Sequence, residues 1–172
     1  MTIPACARNL RDATLSIEDG TGTPNILLIP IMDGNVTWTE HNPTATVLNR
    51  GKLYNRRQGN DKEVDVSFEV TFAQYSYQSG NSGTPSVTDA LMQRGGAASW
   101  VSTDVLCDIY SSNLKFEIKN PADPGNSEIL LMTKFCVDQI QFKEGDPDKL
   151  TVTGKCFTTT ITESYGTIGR TV

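Results

Sequence analysis

The chain has 172 residues, 37% of them apolar and 20% charged, and a formal net charge of −5. That length suits one domain with a substantial core, while the acidic balance argues against gripping nucleic acid, whose affinity comes largely from Lys and Arg displacing counterions. No apolar run approaches the roughly 20 residues of a membrane-spanning helix, and residues 1–11 lack the apolar stretch of a secretion signal.

Thr2 to Asn9 shows no regular pattern and is expected to be loose in a free subunit, either ordering on assembly or simply fraying. Leu15 and Ile17 flank Ser16 in a first short strand, and Gly20 and Gly22 read as a hairpin connection. Val36 and Trp38 alternate with Thr37 and Thr39 in another. Residues 41–62 carry too few periodic apolar side chains for a core element and are predicted to be a long extended loop, a feature that is usually functional or disordered. Residues 41–60 hold Arg50, Lys52, Arg56 and Arg57 and no carboxylate. Without those four, the chain carries 11 basic against 20 acidic residues. A basic segment thus sits on an acidic body, although a solvated loop with scattered charge reads equally well.

The clearest signal is at 64–72. Val64, Val66, Phe68, Val70 and Phe72 alternate with Asp65, Ser67, Glu69 and Thr71, the pattern of a half-buried antiparallel strand with one apolar and one polar, acidic face. Residues 76–86 are rich in Ser, Gly and Asn and read as a flexible connection. A helix is predicted over 86–95: Ser86 caps it, Asp89 lies in its first turn, Val87, Ala90, Leu91 and Arg94 share a face, and Gly95-Gly96 stop it. Leu114, Phe116 and Ile118 alternate with Lys115 and Glu117. Residues 128–142 begin as a continuous apolar run and end with Ile140 and Phe142 alternating with Gln139 and Gln141, which suggests a bulge where the pattern changes. Gly145 to Asp148 supply a turn into a last strand through Leu150, Val152 and Cys156. The tail from Tyr165 to Val172 is patternless. There is no internal repeat and no linker that would split residues 1–172 into domains.

Chemistry is thinly represented. His41 is the single histidine, and none of Cys6, Cys107, Cys136 and Cys156 forms a C-x-x-C pair, so a Cys/His zinc site is not expected. The thiols are expected to be free, packed as small apolar side chains in a protein made in a reducing compartment. A lone His in a polar loop is usually just solvated. Glu144, Asp146 and Asp148 lack the spacing of a calcium loop and read as an acidic turn. Trp38 and Trp100 suit a core or interface better than a sugar platform. Neither catalytic residues nor a cofactor or metal are expected.

The order of these features carries a resemblance. An early hairpin is followed by a loop with the pair in Asn55-Arg56-Arg57-Gln58-Gly59. Next come the strand DVSFEVTF at 65–72, the stretch TDALMQRGGAASWVS at 88–102, and an acidic turn before the last strand. Over roughly residues 12–162 the chain resembles the tail tube proteins of siphophages, the bacteriophages with long non-contractile tails. The resemblance implies a mainly β fold, a β-sandwich or split β-barrel flanked by one short α-helix. It implies hexameric rings whose sheets join around a lumen and stack into the tube through which viral DNA is ejected, in the virion tail, after assembly in the host cytoplasm. Partners would be further copies of the chain and the tape measure, tail terminator and baseplate proteins. The long loop mediates contacts between rings in that family, which makes Arg50, Lys52, Arg56 and Arg57 inter-ring candidates. Asp65 and Glu69 are candidates to face the lumen, where a ring of carboxylates would repel DNA phosphates. Rival readings are a tail terminator, connector, baseplate or contractile-tail inner tube protein, a monomeric carbohydrate-binding sandwich using Trp38 or Trp100, and a glycosidase.

Overall fold

The computed structural model describes residues 13–29, 36–71, 85–106, 108–120, 123–145 and 148–167, and the side chains of all of these except 120, 123–126 and 165–167. Strands β1 (Ala13–Glu18) and β2 (Ile26–Ile29) form the early hairpin, with Glu18 opposite Ile26. The chain continues through β3 (Thr37–Thr39), β4 (Thr44–Asn49), β5 (Lys52–Gln58) and β6 (Val64–Thr71) to the helix α1 (Val87–Met92). Four strands complete it: β7 (Ser112–Asn120), β8 (Asp123–Lys143), β9 (Lys149–Cys156) and β10 (Thr162–Thr167).

Every strand pairing is antiparallel, in the order β2-β1-β7-β8-β9-β6-β3, with β10 also on β8 and β4-β5 forming a separate two-stranded sheet. The 21-residue strand β8 belongs to two layers. Up to Met132 it runs between β7 and β10, and from Phe135 to Lys143 it pairs with β9. Lys134 separates the halves with a φ of 55°. Its N–H donates to Asn113 Oδ1, and its carbonyl accepts from the Phe157 N–H. The bulge expected within 128–142 lies at Val137/Gln139. There Gly154 is required, because a Cβ on it would stand 2.2 Å from the Cys136 carbonyl oxygen.

The inner faces of both layers meet in one core. Leu15, Ile17, Leu114 and Met132 come from the first layer, and Val64, Val66, Phe68, Val70, Leu150 and Val152 from the second. The rings of Phe68 and Phe135 lie 6.1 Å apart at a tilt. The result is an antiparallel sandwich whose sheets stay open. Strand β6 shows why the alternation was so clear: its four apolar side chains are all buried, each worth roughly 1.5–3 kcal/mol, and the residues between them face outward. Phe72 and the connection 76–84 lie outside the described residues.

Helix α1 is capped as predicted, with Ser86 Oγ accepting from the Asp89 N–H at 3.1 Å. It ends earlier than the glycines suggested. Gln93 adopts the left-handed conformation (φ 50°), and its N–H closes on the Asp89 carbonyl. Ala90 and Leu91 are buried, whereas Arg94 is exposed and lies 3.5 Å from Asp89 instead of sharing the buried face. Trp100 joins the core, and Trp38 is partly exposed on β3.

Two expectations need correction. Most of 41–62 is a β-hairpin, β4 and β5, not a loop without regular structure. The start of the patternless tail, Tyr165 to Thr167, belongs to β10, which pairs with β8 from Thr162 opposite Leu131 to Thr167 opposite Asn126.

Candidate functional site

The β4-β5 hairpin contributes nothing to the core. All its residues are exposed except the half-buried Val47. Its tip is a two-residue turn, Arg50-Gly51, with φ of 50° and 80°. Positive φ at both central residues matches the twist of the flanking strands and sets the register Asn49↔Lys52. A bulge between Val47 and Leu48 puts both residues opposite one face of β5, with Val47 facing Asn55 and Leu48 facing Leu53. One face therefore presents Ala45, Val47, Leu48 and Leu53 with Arg57, and the other presents Lys52, Tyr54 and Arg56. Arg56 is steadied by an Nη2 bond to Thr44 Oγ1 at 2.9 Å. The four predicted cations, Arg50, Lys52, Arg56 and Arg57, are thus brought together on one projecting element.

At its root the hairpin is closed by the Gly59 N–H donating to the Pro43 carbonyl at 2.7 Å. His41 Nε2 lies 2.7 Å from Asp65 Oδ2. This contact and the neighbouring lysines hold the Asp65 carboxyl below its ordinary value, the His41 hydrogen bond being the main cause. Both side chains line an open cleft of about 740 Å³, with Asp61, Glu63, Lys155 and Phe157. Among the described residues, no group of three or more His, Cys, Asp or Glu side chains is placed to hold a metal ion.

Asp65 and Glu69 do point away from the core on β6, but not into an acidic row. Asp65 stands opposite Lys155 on β9, and Glu69 Oε2 lies 3.4 Å from Lys149 Nζ. The remaining partners on this outer face are Thr37, Thr39, Ser67, Thr151 and Thr153, with Asp138 at the bulge and Gln139, Gln141 and Lys143 along β8. Lys149 and Lys155 on the adjacent strand, with Lys143 on β8, stand among Glu63, Asp65, Glu69 and Asp138, and Lys155 Nζ lies 3.6 Å from Glu63 Oε2, so the face is polar and mixed in charge.

Several sheet edges are open among the described residues. β2, the short β3 and β10 each lack a partner on one side. Helix α1 lies beside the second half of β8: Thr88, Met92 and Arg94 line a cleft with residues 137–140. Unpaired edges are templates for another chain.

Sequence reasoning missed two features. The first is Asp19, in the turn between β1 and β2. It is buried at 3% exposure and accepts from the Asn25 N–H, Asn25 Nδ2, Thr21 Oγ1, the Thr21 N–H and the Val101 N–H. Burial pushes its pKa up, and the hydrogen bonds from Asn25, Thr21 and Val101 more than offset this, leaving it below the ordinary 3.8. Nearby, burial and then the charge of Asp19 push Tyr110 up to about 12. The second is the segment before β7, where Val105 and Leu106, between Asp104 and Asp108, and Ile109 after them are exposed apolar side chains. Asp104 Oδ2 pairs with Lys134 Nζ at 3.0 Å, which fastens this loop to the break in β8.

No family model matches the chain, and no curated protein matches it. Solved structures do. A chain in the cryo-EM structure of the sheath/tube terminator of an extracellular contractile injection system, PVC, in its extended state, superposes with a TM-score of 0.62. It is 8% identical and covers 94% of this chain and 99% of its own. A chain of the extended sheath–tube complex of the same system gives a TM-score of 0.55 at 8% identity, covering 94% of this chain and 93% of that one. At such identity the likeness shows a shared fold: the open antiparallel sandwich described above is one that subunits of contractile injection machines also use.

Proposed function

We propose that this chain is a structural subunit of a phage tail tube, assembling with copies of itself into hexameric rings that stack around a lumen for DNA ejection. The observation that carries the reading is the β4-β5 hairpin: an ordered, basic, partly apolar element with no core to bury it on its own chain. Such an element gains its stability when a second copy covers it. The open sheet edges suit the same role, since pairing between copies removes them, and subunits of injection machines share the fold.

In this reading Arg50, Lys52, Arg56 and Arg57 contact a neighbouring copy, and the outer face carrying Asp65 and Glu69 lines the lumen. A face of threonine, glutamine and paired charges offers DNA no cluster of unmatched cations, so the duplex passes without adhering. The tape measure, terminator and baseplate proteins would be the further partners in the virion, and no catalytic step is involved. A second reading, a terminator that forms one ring and does not stack, is favoured by the terminator likeness. Negative-stain electron microscopy of the concentrated protein tests both. Hollow tubes of stacked six-fold rings are expected, isolated rings at every concentration would select the terminator, and monomers alone would overturn both.

A further inference from the structure

The two faces of the β4-β5 hairpin differ in chemistry, and a single partner does not account for both. Ala45, Val47, Leu48 and Leu53 make one face largely apolar. The opposite face has no aliphatic side chain. Lys52, Tyr54, Arg56 and Gln58 alternate along β5, and Asn49, Thr46 and Thr44 of β4 stand across from Lys52, Arg56 and Gln58. Tyr54 is 73% exposed and lies between two cations, roughly 7 Å along the strand from each. Arg56 is held to this face by its Nη2 bond to Thr44 Oγ1 at 2.9 Å, and Arg50 adds a cation at the tip.

These cations have no anion on their own element. Residues 41–60 hold no carboxylate, and the flanking ones lie elsewhere: Glu40 Oε1 accepts from the Ile161 N–H at 2.9 Å, and Asp61 lines the cleft at the root. Cations alone would suit any anion, an acidic protein surface included. A tyrosine set between them, with amides and hydroxyls around it, adds a plate for a flat base, which an acidic surface does not need. Cations that track a phosphate backbone, combined with an aromatic stacking platform, are how proteins hold single strands without reading their sequence. A duplex keeps its bases stacked on one another and offers Tyr54 none. The net charge of −5 belongs to the whole chain, and at physiological salt charges beyond about 8 Å are largely screened, so the local charge of a projecting hairpin decides.

We infer that the face of Lys52, Tyr54 and Arg56, with Arg50 at the tip, binds single-stranded nucleic acid, a base on Tyr54 and phosphates on the cations. This goes beyond the self-assembly reading and does not rest on it. The apolar face stays available to a neighbouring copy. A copy that also covered the cations would displace the strand, so the site belongs to the free subunit.

The test is fluorescence anisotropy of a labelled oligo-dT with the full chain, kept below the concentration at which particles appear in the microscope. Between about 50 and 200 mM salt, the logarithm of the binding constant should fall against the logarithm of salt with a slope of about −2, about 0.7 for each of the three cations. Tyr54→Ala should weaken binding at least about fivefold and keep that slope. Arg56→Ala should bring the slope to about −1.4. Leu53→Ala, on the apolar face, should change neither, and all three variants should keep the parent's circular dichroism. No binding at about 50 mM salt would overturn the proposal. So would parental affinity in Tyr54→Ala, equal affinity for the dA·dT duplex, or displacement of the oligonucleotide by poly-glutamate at equal charge, which would make the partner an acidic protein surface. Microscopy reads self-assembly separately, so stacked rings stand or fall on their own whichever way the titration goes.

Discussion

Strands β6 and β5 have nearly the same length and lie six residues apart in the chain, yet they do opposite work. In β6 each apolar side chain is buried and each polar one faces outward. In β5 every residue is exposed. The first strand is held by its neighbours β3 and β9 and by the core, the second only by its pairing with β4. A two-stranded hairpin alone is marginal in water, so β4-β5 depends on its tight turn, its closed root and, on our reading, a neighbouring copy. Burial fixes the first region, and exposure makes the second available.

The largest test of that contrast uses one aromatic from each region. Phe68→Ala removes a fully buried ring packed on Phe135 and should cost about 4 kcal/mol in urea unfolding. Tyr54→Ala removes an aromatic side chain of similar size from the hairpin and should change stability by less than about 0.5 kcal/mol while weakening assembly. A large stability loss from Tyr54→Ala would mean that the hairpin packs on its own domain and would break the contrast.

Next in size is Asp19, which belongs to the buried side although it lies in a turn. Asp19→Ala leaves the N–H groups of Asn25 and Val101 without their acceptor and should cost about 3 kcal/mol. The sign with pH follows from its lowered pKa. Its contribution is fully present above the unfolded carboxylate value near 3.8 and is lost as pH falls through the lower folded value. Thermal melts of the parent chain should therefore decline below about pH 4, and Asp19→Asn should flatten that decline. An unchanged acid limb would assign it to other carboxylates.

What could be read from the sequence follows the same division. β6 was legible because one of its faces is dry and one wet, and a period of two records that difference. Helix α1 was legible from Ser86, whose cap is a local event, and its end was misjudged because Gln93, an ordinary residue, took the left-handed conformation that glycine usually supplies. The hairpin left no alternation, since both its faces are exposed; its only signal was the two-residue turn at Arg50-Gly51 between β-prone Thr-Ala-Thr-Val and Lys-Leu-Tyr. β10 was hidden because its place comes from the backbone edge of β8, which its own side chains do not encode. The mixed charge of the outer face was hidden too, because Lys149 and Lys155 lie about eighty residues or more from the carboxylates they meet, and no pattern within β6 reports its neighbour. Val105, Leu106 and Ile109 were invisible as a surface because an apolar residue reads the same in sequence whether buried or exposed.

The smallest effect is expected where the two regions join. His41 lies at the hairpin root and Asp65 in β6, so their 2.7 Å contact spans the boundary. Both side chains reach solvent, and such a pair is worth less than about 1 kcal/mol; His41→Gln should hardly move the melting temperature. Its signature is the Asp65 carboxyl, held below 3.8 chiefly by the His41 hydrogen bond. In a carboxyl NMR titration the variant's Asp65 should rise toward 3.8, and the small stability gained from the depressed pKa, present above that value and lost as pH falls through the folded one, should vanish. The informative readout is amide exchange in β4 and β5. Faster exchange there, with β6 unchanged, would show that His41 steadies the hairpin from below and that the boundary lies on its far side, at the Pro43–Gly59 closure. Unchanged exchange in both would put the boundary at the histidine, with the Arg50-Gly51 turn and the Pro43–Gly59 closure alone keeping the hairpin formed until a neighbour covers it.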